Sequence, residues 1–298
     1  MKFATAPIRR LSSLGIGLAV GATALMGAPA AAAAAPPEGA YWHSRALMTT
    51  THPWRFGSKT DPYSLVQRRI SENWRAPDGR AWFGFRELGT LPKSAAAKKA
   101  WRRDGSPSKW SESIDGKTVK LSIEPAKGRV APVRDENSFR LAGQRLTYDE
   151  VQRLPADPNI LKDWLGRAGK ISRVQEGALD GWVRSSLPEI LHSIPAPKEV
   201  RAAAYQALLT MPGVRAGGNV KDTLGRSGAA VLIDRTHKGK SGTSSVKIRL
   251  IVDSNTMVLL SRDQTVTDNG KVLGGKTHNE TLVEVGWTNS KPAVPALP

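Results

Sequence analysis

The chain has 298 residues, no cysteine and a formal net charge of +18 at pH 7. The missing cysteines exclude disulfide staples, thiol nucleophiles and thiolate metal sites together, so the fold must be stable from its core alone. The charge bears on partners and solubility rather than on fold, and it makes anionic surfaces the natural counterpart.

The N-terminus has three parts. Lys2, Arg9 and Arg10 form a positive start, Leu11 to Met26 is an apolar stretch, and small residues run from Gly27 to Ala35. This is the pattern of a secretory signal peptide, residues 1–30, with cleavage expected between about Ala30 and Ala34. Cleavage would remove three basic residues and take the charge from +18 to +15. The apolar stretch is too short and too rich in Gly and Ser for an uncleaved anchor, so no stable membrane span is expected. The chain is therefore read as secreted. Residues 31–40 form a flexible Ala/Pro leader, 41–290 a single domain, and 291–298 a disordered Pro-rich tail.

Within the domain, Tyr41 to Thr51 alternates as a strand and His52-Pro53 ends it. Leu65 to Arg75 and Arg80 to Leu88 flank Ala76-Pro77-Asp78-Gly79, a strong hairpin signal. A two-residue Asp78-Gly79 loop would set Trp74 against Phe83 and Glu72 against Phe85, with Arg69, Arg75 and Arg86 sharing the other face with Trp82. A helix is expected over Lys93 to Arg103 and a strand over Val119 to Ile123. Thr147 to Glu150 has capping-box spacing. Asp157-Pro158 opens a helix carrying Trp164 and Leu165, with Gly169 as its stop. A further helix runs from about Gln175 to Ile194, kinked or restarted at Pro188, and Pro197 opens another. Strands follow over Val214–Val220, Ala229–Arg235, Val246–Asp253, Met257–Asp268 and Thr281–Thr288. Strands, then helices, then strands argue an α+β fold with a mostly antiparallel sheet.

The motifs carry little chemistry. Gly270 to Thr277 has Walker A spacing, but a β pattern follows it where a phosphate loop needs a helix N-terminus. It reads as a Gly/Lys-rich hairpin turn. Ser106–Lys109 and Ser244–Lys247 match the S-x-x-K of penicillin-binding enzymes and Lys240-Ser241-Gly242 matches K-[ST]-G, in an order that fits no such enzyme. No histidines pair at a metal-binding spacing. No catalytic residue, cofactor or metal is expected, and nucleic acid is not an expected partner.

Two candidate sites remain. Trp164, Leu165, Trp182, Ile190, Ile194 and Leu208 are expected to line an apolar pocket between helices and sheet. Arg235, Lys238, Lys240 and Lys247 lie in a Gly/Ser-rich stretch without acids, read as a mobile loop. With Arg69, Arg75 and Arg86 it is expected to form an anion-binding surface.

A resemblance rests on an ordered set of segments. These are Arg75-x-x-Asp78-Gly79-Arg80-x-Trp82, Phe85-Arg86-Glu87-Leu88-Gly89, Gly105 to Trp110, and Leu146 to Pro158. Ala204-Tyr205, Met211-Pro212-Gly213-Val214, Asp222, Gly225-Arg226 and Gly286-Trp287-Thr288 complete it. Together they resemble an uncharacterised actinobacterial family of exported or membrane-anchored proteins, over nearly the whole chain after the signal. That family's layout is in turn similar to the LolA-like fold of lipoprotein carriers and sigma-factor regulators. The resemblance implies a curved half-barrel sheet covered by mid-chain helices, and no catalytic residues. The likeness of fold does not by itself assign a function, and the leading reading is a non-enzymatic extracytoplasmic binding protein for a hydrophobic or acyl ligand, an anionic envelope component or an envelope protein. The alternatives are a hydrolase without a local motif and an envelope-stress sensor module.

Overall fold

The computed structural model describes residues 37–114, 116–239 and 242–298. The signal peptide and most of the leader lie outside them, as does Lys240. No helix of the described residues is long and apolar enough to cross a membrane.

Three long strands open the domain: β1 (Tyr41–Phe56), β2 (Tyr63–Arg75) and β3 (Arg80–Pro92). Helix α1 (Ala95–Arg103), the hairpin β4 (Lys109–Ile114) and β5 (Lys117–Ser122), and strand β6 (Arg129–Asn137) follow. A small hairpin, β7 (Phe139–Leu141) and β8 (Gln144–Leu146), leads into α2 (Tyr148–Gln152), α3 (Pro158–Ile171), α4 (Leu179–Ile190) and α5 (Lys198–Leu209). The chain ends in β9 (Val214–Lys221), β10 (Ser227–Gly239), β11 (Gly242–Val252), β12 (Leu259–Asp268), the short β13 (Lys271–Val272) and β14 (His278–Thr288).

The expected α+β class holds. One open antiparallel sheet has the order β6-β3-β2-β1-β14-β12-β11-β10-β9, with β13 added to β12. The first and last long strands therefore meet in its middle. Helices α3, α4 and α5 cover the end from β9 to β12, where Leu161, Leu165, Leu187, Ile190 and Leu208 pack on Val231, Ile233, Ile248 and Leu250. A second, smaller core joins Phe56, Tyr63 and Leu65 to Ala97, Ala100 and Trp110. At its centre the Trp110 indole donates to the Tyr63 hydroxyl (3.0 Å), which donates to Asp104 (2.7 Å). Burial, chiefly, pushes the Tyr63 phenol up to about 12.

Local signals explain the helix starts. Ser94 caps α1, the Thr147/Glu150 capping box opens α2, and Asp157 with Pro158 at the first position opens α3. Gly169 does not stop α3, which runs two residues further, to Ile171. Pro188 sits in the last turn of α4 without a restart, because that turn ends two residues later.

The β2–β3 hairpin differs from expectation. Ala76 donates to the carbonyl of Arg80 (2.9 Å) and Gly79 donates to that of Ala76 (2.8 Å), so the loop is Pro77-Asp78-Gly79, with Gly79 at φ 86°. Three loop residues instead of two slide the pairing by one. Trp74 now opposes Trp82, and Asn73 opposes Phe83. A one-residue slip exchanges the faces of a strand. Arg86 accordingly goes with Ile70 and Trp74, on the face opposite Arg69 and Arg75.

The face of β1 and β2 turned away from α3–α5 carries a polar triad around the buried Glu72 carboxylate. His43 Nε2 lies 3.0 Å from Glu72, Arg45 pairs with the same carboxylate (3.1 Å), and the His43 ring stacks on Trp74. The C-terminal tail lies over it. That tail carries no helix or strand, yet Pro295 is buried against Trp74 and Gly84, and Arg45 donates to the carbonyl of Ala296 (2.8 Å).

Candidate functional site: a split in the sheet

Strand β14 changes partners along its length. From His278 to Thr281 it is bonded on both sides, to β1 and to β12. From Leu282 to Thr288 only the β1 ladder continues. The sheet divides at that point, leaving a stretch of seven residues, roughly 23 Å at the usual rise, with no strand partner on one side among the described residues.

Arg226 holds the fork. Its Nη2 donates to the carbonyls of Leu282 (2.7 Å) and Leu260 (3.2 Å), one on each diverging strand, and it is ion-paired with Asp222 at 2.6 Å. The other Asp222 oxygen accepts from the backbone N–H groups of Leu224 and Arg226, at 2.9 Å each. Burial alone would raise the Asp222 carboxyl, but these bonds outweigh it and hold it below the usual carboxylate range. A hydroxyl pair, Thr223 with Thr281 (2.7 Å), ties the same turn to the last doubly paired residue of β14.

Below the fork lies a cleft of about 790 Å³. One wall is the free side of β14, and the other is the turn from Asp253 to Leu260 with the segment before α5. Arg201 joins these last two, donating to the carbonyls of Thr256 and Ala196, and burial lowers its pKa. Trp42, Trp287 and Tyr148 form an edge-to-face aromatic chain at one end, with centroids 5.7 and 5.8 Å apart. Both signs of charge border the cleft: Lys198, Arg201 and Arg226, and Glu38, Asp253 and Glu284.

A second polar region lies on the helix-covered face. Arg69, Met48, Glu280, Arg262, Leu250 and Val231 make one row across six strands. The row passes from charged to apolar where the helices begin. Burial raises the Glu280 and Glu189 carboxyls, against the opposing charge of Arg262.

Next to it, His192 Nδ1 lies 3.0 Å from the Pro188 carbonyl and Nε2 3.1 Å from the Ser193 hydroxyl. The carbonyl can only accept, so Nδ1 carries the proton and Nε2 accepts from serine. Burial drops the His192 pKa to about 4. A general base for neutral pH is wanted near 7. The pair therefore reads as a satisfied hydroxyl rather than an activated nucleophile.

The expected pocket residues do come together, but as packed core. Leu165, Ile190, Ile194 and Leu208 are fully buried, with Trp164 and Trp182 packed around them. None of the six borders the clefts of about 790, 640 or 290 Å³. Tight burial of branched side chains on facing helices fills the space that a ligand would need.

The expected anion surface is dispersed. Strands β10 and β11 pair all the way to Gly239 and Gly242, so 235–239 and 242–247 are the two arms of a hairpin rather than loop. Alternation puts Arg235 and His237 on the helix side and Lys238 and Lys247 on the other. Arg69 is exposed, with Nε 3.4 Å from Met48 Sδ. Arg75 donates to the carbonyl of Ser138 (2.6 Å) and lies over Phe139, while Arg86 Nε is buried. The cation against Trp82 is Arg80, at 5.8 Å.

The Walker-like segment is a tight turn at Asn269-Gly270 (φ 48° and 78°), the short β13 and one 3₁₀ turn, followed directly by β14. Both turn residues have the positive φ of a hairpin turn. Ser106 lies in the loop after α1 and Ser244 within β11, so neither begins a helix.

The chain matches no family model, and no curated protein matches it significantly.

Sequence reasoning missed Arg226. The Asp222/Arg226 spacing was visible, but the two carbonyls it bonds lie 34 and 56 residues away.

Proposed function

We propose that this chain is a non-enzymatic extracytoplasmic binding protein of the half-barrel, LolA-like type. Its ligand is an extended segment of a partner polypeptide, taken as an added strand along Leu282–Thr288. The observation that carries this reading is the one-sided pairing of β14 beside a cleft of about 790 Å³. Unpaired strand edges are templates for another chain, and strand addition draws affinity from main-chain bonds and specificity from alternate side chains. The aromatic chain at one end and mixed charges along the walls suit a polypeptide better than an acyl tail. Packing of the six mid-chain apolar residues also favours the protein ligand over the acyl one.

The test is selection from a displayed random-peptide library against the signal-free chain, followed by amide hydrogen exchange with an enriched peptide. Protection of amides within Val283–Thr288 is the expected result. An absence of enriched peptides, or protection confined to another part of the sheet, rejects the reading.

A further inference from the structure

Where α4 crosses β10, β11 and β12, three arginines border one small depression. Arg184 comes from the helix, Arg235 from β10 and Arg262 from β12. Its floor is Pro188, Ile233, Ile248 and Leu250, Ser185 stands at its rim, and its volume is about 50 Å³. Among the described residues no acidic side chain lines it. Acids stand behind two of the arginines and not in the depression: Glu280 and Glu189 face Arg262, and Asp180 faces Arg184. Arg184 donates Nη1 to the carbonyl of Pro212 at 2.8 Å. The register of β10, with Arg235 opposite Val246, puts Arg235 on the helix side of its strand. Arg262 stands in the row between Glu280 and Leu250, and its Nε is buried with no acceptor among the described residues.

From this geometry we infer an oxyanion site for a phosphate-bearing group, held by the guanidinium groups of Arg184, Arg235 and Arg262. Three like charges facing one depression repel one another across it, since Glu189, Glu280 and Asp180 do not line it, and a bound anion there offsets that repulsion. The lowered pKa of Arg184 has burial as its main cause and the charge of Arg235 as its second, with Asp180 opposing. Guanidinium forks match phosphate oxygens in pairs, which lysine does not do. An apolar floor strengthens such bonds by excluding water. The volume admits one oxyanion and no acyl chain, so whatever carries the phosphate extends into solvent. This site is distinct from the β14 cleft, shares no lining residue with it, and does not depend on the peptide reading.

The experiment uses the signal-free chain and two single variants of equal charge. Arg235→Gln removes a site arginine that is solvent-exposed. Lys238→Gln removes a lysine three residues along the same strand, on its opposite face. Binding of inorganic phosphate is measured by calorimetry at constant ionic strength, and binding to phosphatidylglycerol vesicles by sedimentation against phosphatidylcholine controls. Arg235→Gln is expected to weaken binding about tenfold, the loss of one charge-assisted contact, with Lys238→Gln within about twofold of the parent. An Arg235-dependent signal with inorganic phosphate identifies a free-phosphate site. One seen only with vesicles identifies a lipid headgroup site. Equal losses in both variants would mean diffuse attraction by a basic protein, and that outcome overturns the site, as does the absence of Arg235-dependent binding to either probe.

Discussion

The two halves of the sheet are held by different physics. From β9 to β12 the strands meet α3–α5 mainly through Leu, Ile and Val side chains, with Arg184, Arg235 and Arg262 gathered at one margin of the contact. From β14 to β3 the same face carries Glu280, Ser71, Asn73 and Arg75, and the opposite face carries the His43–Glu72–Arg45 triad beneath the tail. The apolar half depends on volume, while the polar half depends on each charge having its partner. Arg226 stands between them and bonds both.

This contrast can be broken by substitution. In the apolar half, Leu208→Ala should lower the unfolding free energy by about 4 kcal/mol, as cavities in packed cores do, read from urea denaturation at neutral pH. An effect below about 1 kcal/mol would show that α5 is not part of the common core. At the join, Arg226→Ala leaves Asp222 without its cation and two carbonyls without a donor. A loss of about 3 kcal/mol is expected, and exchange of amides on both sides of the fork should accelerate. If only β14 amides respond, Arg226 belongs to one half alone.

The polar half should respond to pH. The His192 pKa is about 4 in the fold against 6.5 without it, so the unfolded chain takes up the proton first. The stability linked to this group is intact above about pH 6.5 and is lost as pH falls towards 4, by no more than about 3 kcal/mol. His192→Gln should flatten that part of the stability profile, and an unchanged slope would assign it to other groups. The smallest effect is expected at Glu280. Its carboxyl is raised mainly by burial, so its charged form opposes folding at neutral pH. Glu280→Gln should stabilise by less than about 1 kcal/mol. A destabilisation instead would mean that Arg262 depends on that carboxylate.

Element types were legible where the signal was local. The helix caps at Thr147 and Asp157 each place their determinants within four residues. The β4, β6, β7 and β8 strands were not read, because they are short or interrupted by proline and their partners are not always adjacent. The hairpin at Asp78-Gly79 shows the limit of a correct local signal. The turn was found, but a single residue of loop length decided which arginines share a face. The Arg235–Lys247 stretch, rich in Gly and Ser, read as a loop because composition does not reveal that β12 supports the arm along Ser244–Val252. The split in β14 was invisible for a deeper reason. A strand's own residues do not record where its neighbour leaves it.

The pairing of β1 with β14 has a consequence for how the chain reaches this structure. The residues it brings together stand up to 247 positions apart (288 minus 41), as at Tyr41 and Thr288. Contacts of such separation are slow to form, because the intervening loop must close before they contribute. The β1–β2–β3 meander is local, and it can pair before β14, which comes last in the chain, is available. During that interval β1 is an edge strand with a free row of donors and acceptors. The nascent chain is then open to association with itself along the strand that later becomes the middle of the sheet, and β14 is the segment whose arrival ends that exposure.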